Sequence, residues 1–173
     1  VSVTLRDARD SPDDRDWIRG IYRLYLSELS ASKSGLFPAL GEWPSREGEF
    51  LTGWFNDPAA TPFVILADGQ RAGFALVVRP PAFPRRTADF RMAEFFIVDA
   101  ARRRGVGASA ASRLFTRFAG HWEVVEDEYN RPALAFWRRV ISRHTGDRYV
   151  ETREAGEVCH RFDTSARPGP AVG

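Results

Sequence analysis

The sequence predicts a mixed α/β domain of the α+β type, in which a mixed β-sheet is flanked by helices. Three observations carry this reading. Two β-rich runs, Thr61 to Ala67 and Arg71 to Arg79, are joined by Asp68-Gly69, a dipeptide favoured in tight hairpin turns. Apolar residues recur at helical spacing in the segments that begin at Pro12 and Gly105. The elements fall in the order βααβββαβαββ, without the strict alternation of a doubly wound fold.

The first strand is short, Val1 to Arg6. Ser11-Pro12-Asp13-Asp14 then supplies an N-cap, a proline for the first turn and two acids for the helix dipole, so a helix is expected to begin there. Trp17, Ile18, Ile21, Tyr22, Tyr25 and Leu29 carry it to Ser30 with one face packed. Ser32 to Pro44 reads as loop. Ser45 is expected to cap a second, short helix carrying Phe50, Leu51, Trp54 and Phe55, ended by Asn56-Asp57-Pro58. After the hairpin, Pro80, Pro81 and Pro84 break the chain before a strand over Phe90 to Val98. The helix Gly105 to Ala119 follows, with Val106, Ala110, Leu114 and Phe118 on one stripe. A strand over Trp122 to Val125, a helix over Arg131 to Arg143 and strands over Arg148 to Arg153 and Val158 to Phe162 complete the order. Residues 1–163 are expected to form one domain, and Thr164 to Gly173, rich in Pro, Gly and small residues, a loosely held tail.

Composition excludes several function classes. At 173 residues the chain is near the size of one domain and can bury a sizeable core. No apolar run approaches the roughly 18 residues that span a bilayer, so no membrane association is expected. Val1 to Asp10 has neither a basic start followed by an apolar stretch nor a small-residue cleavage pattern, so no secretion signal is expected. A single cysteine, Cys159, rules out an intramolecular disulfide framework and a cysteine-rich zinc site, and it accords with a reducing, cytoplasmic setting. Of 25 basic residues only Lys33 is lysine, and the net charge is only +2. The arginines are scattered among acids rather than gathered into a stripe with stacking aromatics, so no nucleic-acid partner is expected. The three histidines lack metal-ligand spacing, and no metal is expected.

The most informative stretch is Met92 to Leu114, where an apolar strand meets an arginine-glycine turn that opens a helix. Gly105 and Gly107 lack a Cβ, so the backbone there can present successive N–H groups to a ligand, and the helix adds its positive N-terminal end. A diphosphate suits such a cradle. The strand Glu94 to Val98, the turn Arg102-Arg103-Arg104-Gly105-Val106-Gly107 and the downstream Asn130-x-x-Ala133-x-x-Phe136-Trp137 together resemble the GNAT superfamily of acyl-CoA-dependent N-acetyltransferases. The turn is similar to that family's Q/R-x-x-G-x-G/A signature. Asn130 follows a second strand and opens a helix, as in the family's second conserved region, and the two motifs cover roughly a third of the chain.

The resemblance implies a mostly antiparallel GNAT-like sheet, with acetyl-CoA or a related acyl-CoA as donor cosubstrate and a small-molecule or peptide amine as acceptor. It implies that backbone N–H groups of Arg103, Arg104, Gly105, Val106, Gly107 and Ala108 hold the pyrophosphate. Arg102 and its neighbours either add charge toward phosphate oxygens or simply solvate the turn. The pantetheine arm is expected to pair with the main chain near Phe96 and Ile97, which requires an open sheet edge or a splay between strands. Asn130 either binds CoA or caps its helix. Family members of this kind often form dimers, so a homodimer is open to this chain, although no segment identifies an interface.

A lysine-like amine with a pKa of about 10.4 is protonated in nearly every molecule at neutral pH, so a group must take its proton. Glu94, in the central strand between Ala93 and Phe95, is the first candidate, against the reading of a carboxylate satisfied by Arg91; Glu126 is the second and Glu128 the third. Many family members protonate the leaving thiolate with a tyrosine seven positions after the Asn, where this chain has Trp137. An indole N–H is no acid at neutral pH, so Tyr149 or solvent substitutes, or CoA leaves as the thiolate; Trp137 itself is either core or beside the thioester. Acceptor choice is expected in Ser30 to Phe55, which carries Phe37, Trp43, Trp54 and Phe55 with Glu42, Glu47 and Glu49.

Gly105-x-Gly107-x-x-Ala110 also fits a dinucleotide fingerprint, but six residues separate Val98 from Gly105 and too little chain follows for a βαβαβ unit. A catalytically silent acyl-CoA-binding or regulatory module is the alternative in a different class, given substance by Trp137.

Overall fold

A computed structural model describes residues 1–31, 51–82 and 88–165 and contains one seven-stranded sheet. The expectations for Ser32 to Pro44, Ser45, Phe50, Pro84 and the tail beyond Ser165 fall outside the described residues. Strand β1 (Val3–Asp7) runs antiparallel to β2 (Ala60–Ala67), and β2 turns back into β3 (Gln70–Val78). The turn is Asp68-Gly69, with φ of 49° and 80°. Both values are left-handed, as a type I′ hairpin demands, and Gly69 accepts its own without a Cβ penalty.

The remaining strands are β4 (Phe90–Ile97), β5 (His121–Asp127), β6 (Tyr149–Glu154) and β7 (Glu157–Asp163), and the spatial order is β1-β2-β3-β4-β5-β7-β6. Every pairing is antiparallel except β4 with β5. This is the mixed, mostly antiparallel sheet that the element pattern and the family resemblance lead one to expect.

Helices cover both faces. The first, α1 (Pro12–Ala31), starts where Ser11 Oγ accepts from the Asp14 N–H, and a helix α2 is described over 51–56. Together they bury Ile18, Tyr22, Tyr25, Leu26, Leu51, Trp54 and Phe55 against one face of β2–β4. Trp17, Ile21 and Leu29 are only partly buried, whereas Asp14 is fully buried on the packed stripe. Burial of that carboxylate is tolerated because Arg6 from β1 and Arg71 from β3 both donate to it, each with an N–O distance of 2.8 Å to Oδ1.

The opposite face is covered by α3 (Val106–Arg117) and α4 (Arg131–Thr145). Val106, Ala110, Ala111, Leu114 and Phe115 of α3 are buried, so Phe115 rather than the partly buried Phe118 completes its stripe. Phe115 meets the rings of Trp122 and Phe162 edge-on, each at 4.9 Å, and these contacts tie α3 to β5 and β7.

Candidate active site

Three features of β4 and β5 build the site. First, Leu76 of β3 faces Glu94 while Val77 faces Met92, so Ala93 is an extra residue in β4 and forms a bulge. Side chains alternate faces along a strand, and the extra residue inverts that alternation. Phe90 and Met92 therefore pack under α3 and α4, whereas Glu94 and Phe96 turn toward α1.

Second, β4 and β5 pair only from Phe90 to Met92 and from Trp122 to Val124. Beyond Ala93 and Val125 the two strands share no ladder, and their main-chain edges face a gap. The Val98 N–H donates to the Ala72 carbonyl on β3. Antiparallel ladders alternate every two residues, so Phe96 and Glu94 also turn their main-chain groups to β3, and Phe95 and Ile97 turn theirs to the gap. The expectation for Phe96 is corrected on this point: its main chain is spent on β3 and its ring on an aromatic cluster with Tyr25 and Phe74.

Third, α3 begins at the mouth of this gap. Gly105 is its N-cap at φ 80°, with no side chain capping the helix and open space where a Cβ would stand. No side chain caps the first turn, so the N–H groups of Val106, Gly107 and Ala108 are the ones that an anion at this helix start would meet. Gly107 has a different reason to be glycine. A Cβ there would lie 3.3 Å from both Ile97 Cγ1 and Phe136 Cε2, so it lets α3 approach β4 and α4 closely.

The three arginines of the turn divide. Arg102 Nε donates to the Ile97 carbonyl at 2.7 Å, its other arm meets Glu28 of α1 at 2.5 Å, and its guanidinium lies over the Phe96 ring. It is a brace between β4 and α1 rather than a free phosphate ligand. Arg103 is exposed with a left-handed φ of 58°, and Arg104 lies 4.0 Å from Asp68, so these two keep most of their charge at the surface.

Glu94 and Glu126, the first and second candidates for the base, lie near enough that the charge of Glu126 acts on Glu94, and a residue that the helical spacing placed only on a packed face contacts Glu94. The Tyr25 hydroxyl of α1 donates to Glu94 Oε2. Burial pushes the Glu94 carboxyl up to about 7, the hydrogen bond from Tyr25 opposes that rise, and the Glu126 charge adds to it. Burial also raises Glu126, whose Oε1 accepts from Asn130 Nδ2 at 3.0 Å. Asn130 itself caps α4, its Oδ1 accepting from the Ala133 N–H. Arg91 does not neutralise Glu94, because it pairs with the buried Glu123, which Arg161 also holds. Glu128 is half-buried beyond the end of β5.

Of the two remaining candidates, Tyr149 lies away from Glu94 and Trp137 takes the core alternative. Tyr149 stands on the edge strand β6 opposite Phe162, in the register row of Trp122 and Phe90, hence at the closed end of the gap, with its ring 5.9 Å from that of His160. Trp137 is buried, its ring edge-on to Phe95 at 5.1 Å, and it belongs to the core under α4. Nothing in the sequence separated Tyr25 from Tyr22 or Ile18, since all three fit one helical stripe. A groove of about 610 Å³ continues from α3 along α4, lined among others by Ser112, Arg139, Arg143 and His144. Among the described residues no cluster of His, Cys, Asp and Glu could hold a metal ion, and no helix is long and apolar enough to cross a membrane.

Comparison with known proteins agrees with this architecture. A family model described as the acetyltransferase (GNAT) family matches residues 18–141. An acetyltransferase from Thermus thermophilus is similar in structure over 94% of this chain and 97% of its own, with a TM-score of 0.68 and 19% identity. A GNAT family acetyltransferase from Streptococcus agalactiae matches over 93% and 95%, with a TM-score of 0.67 and 14% identity. The PaiA N-acetyltransferase of Thermoplasma acidophilum, solved in complex with coenzyme A, matches over 94% and 99%, with a TM-score of 0.62 and 8% identity. No curated protein matches the chain in sequence.

Proposed function

Because the chain belongs to the acetyltransferase (GNAT) family, whose model spans residues 18–141, we propose that it transfers an acetyl group from acetyl-CoA to a primary amine, with Glu94 as general base. The observation that carries this reading is the gap between β4 and β5, with Glu94 on one wall and an uncapped helix at its mouth.

The residues fit the donor. The N–H groups of Val106, Gly107 and Ala108 would hold the diphosphate, and their identity as main-chain donors makes the site tolerant of side chain. Phe95 and the Ile97 N–H would pair with an extended amide-bearing arm in the gap; the Ile97 carbonyl is already engaged by Arg102. Arg139 and Arg143, exposed along the α3–α4 groove, suit the phosphorylated nucleoside end. When bound, acetyl-CoA supplies an activated acyl carbon.

Glu94 has the property the acceptor demands. A carboxyl lifted to about 7 is part ionised at neutral pH and is a stronger base than an ordinary glutamate. It removes the ammonium proton, directly or through a water, so that the amine nitrogen gains its lone pair in the gap. Trp137 donates no proton at neutral pH, and Tyr149 lies at the closed end of the gap. The departing thiol, with a pKa near the thiol value of about 8.5, therefore leaves as thiolate and is protonated by solvent.

Calorimetric titration with acetyl-CoA, beside CoA and NADH, tests the donor site. Binding of acetyl-CoA and CoA but not NADH is expected; no binding of either CoA species would remove the reading. A catalytically silent acyl-CoA-binding module, the second reading, is favoured by the buried Trp137 at the family's tyrosine position, and it requires binding without thiol release in the presence of any amine.

A further inference from the structure

We propose that Tyr25 is the positioning residue for Glu94, its hydroxyl holding Oε2 so that Oε1 alone is presented to the acceptor side of the gap. The inference rests on the reading of Glu94 as base. Tyr25 is well placed for it by packing. Its ring is nearly buried, edge-on to Phe74 at 5.3 Å, tilted against Phe96 at 5.5 Å and against Tyr22 at 5.7 Å. A tyrosine has only two side-chain torsions, and rings on three sides fix both, so the hydroxyl has one direction, toward Glu94.

Glu94 without this contact would be free to rotate. It lies just past the Ala93 bulge, half-buried, on a stretch of β4 that has no ladder to β5. The charged and titratable groups around the pair are Glu126 from β5, Tyr22 from α1, and the Glu28–Arg102 ion pair one turn further along α1. Arg102 is committed to Glu28 and the Ile97 carbonyl, which leaves Tyr25 as the donor to Glu94 among the described residues. Burial and the Glu94 charge raise the Tyr25 phenol well above its ordinary value, so it stays protonated across the working range and acts as a fixed donor rather than as an acid or base.

The test is direct titration of Glu94 by carbon NMR of glutamate-labelled protein, the resonance being assigned by its loss in Glu94→Gln. In Tyr25→Phe the lost donor should move the Glu94 midpoint up by roughly one pH unit, with acetyl-CoA affinity unchanged and kcat lowered more than KM is raised. Tyr22→Phe, in the same cluster without the contact, should leave the midpoint in place. Should Tyr25→Phe fold poorly, 3-fluorotyrosine at position 25 keeps the ring and makes a stronger donor, and the midpoint should then fall. An unmoved midpoint in Tyr25→Phe or in the fluorinated protein overturns the proposal. Thiol release from acetyl-CoA, with spermidine, free lysine and an N-terminal peptide as amines, separates the two failures. Full turnover in Glu94→Gln removes the base and with it the role of Tyr25. Lost turnover in Glu94→Gln with an unmoved midpoint in Tyr25→Phe removes Tyr25 alone.

Discussion

Glu94 combines two demands that pull against each other. Its carboxyl lies at about 7 because burial disfavours the charge, and Tyr25 opposes part of that rise. As a base it must be ionised, so kcat/KM should climb with pH through about 7 and level above it; a flat profile from pH 6 to 9 would exclude it. Glu94→Gln should lower kcat by roughly 10² to 10⁴ with little change in acetyl-CoA affinity. The same group affects stability. Between the ordinary value of 4.5 and about 7 the folded chain keeps a proton that the unfolded chain has released. The folded state is thus favoured by this group at low pH and loses that advantage as pH rises through the window. Glu94→Gln, which still accepts from Tyr25, should therefore raise the melting temperature relative to the parent at pH 8 and not at pH 4. Which residue stands in the central strand was legible in the sequence. Its hydrogen bond from Tyr25, which opposes the rise that burial causes, was not, because the two residues lie 69 positions apart in the chain.

At the scale of elements, the turn into α3 was the most legible part of the site. Gly105 reads in the sequence as a Cβ-free residue where the turn opens the helix, and the structure has it as the N-cap at φ 80° with no side-chain cap. Gly105→Val should cost about 1–2 kcal/mol from the left-handed backbone alone and should abolish acetyl-CoA binding by misdirecting the first-turn N–H groups; calorimetry and a thermal melt separate the two effects. Wild-type affinity in that variant would show that the turn does not hold the diphosphate. The arginines beside it were less legible. Three in a row look equivalent in the sequence, yet Arg102 alone finds Ile97, Glu28 and the Phe96 ring, because only its position faces the seam between β4 and α1. Asn130 proved to be both cap and neighbour of Glu126, two roles that its position at the end of β5 makes compatible.

For the whole molecule, Asp14 joins three elements at once. Fully buried on α1, it accepts from Arg6 of β1 and Arg71 of β3, and the hydrogen bond from Arg6 leads the effects that hold its carboxyl below the ordinary 3.8. Its stabilisation is present above 3.8 and is lost as pH falls below that value. Asp14→Ala should cost about 2 kcal/mol in denaturant unfolding, the scale of a lost charged hydrogen-bond pair whose arginines still reach water; a loss within about 0.5 kcal/mol, the usual range for an exposed site, would show the tie to be dispensable. The sequence by itself determined what is local: the hairpin at Asp68-Gly69, the helix starts at Ser11 and Asn130, the strand and glycine turn that belong to the acetyltransferase (GNAT) family. Those follow from propensity, capping and backbone freedom, which act within a few residues. Only the tertiary structure decided the Ala93 bulge that turns Glu94 toward α1, the parting of β4 from β5 after Met92, the removal of Tyr149 to the closed end and the meeting of Tyr25 with Glu94. Each of these is a matter of register and packing between distant segments, and a strand's side-chain period of two makes one inserted residue enough to change which face a carboxylate serves.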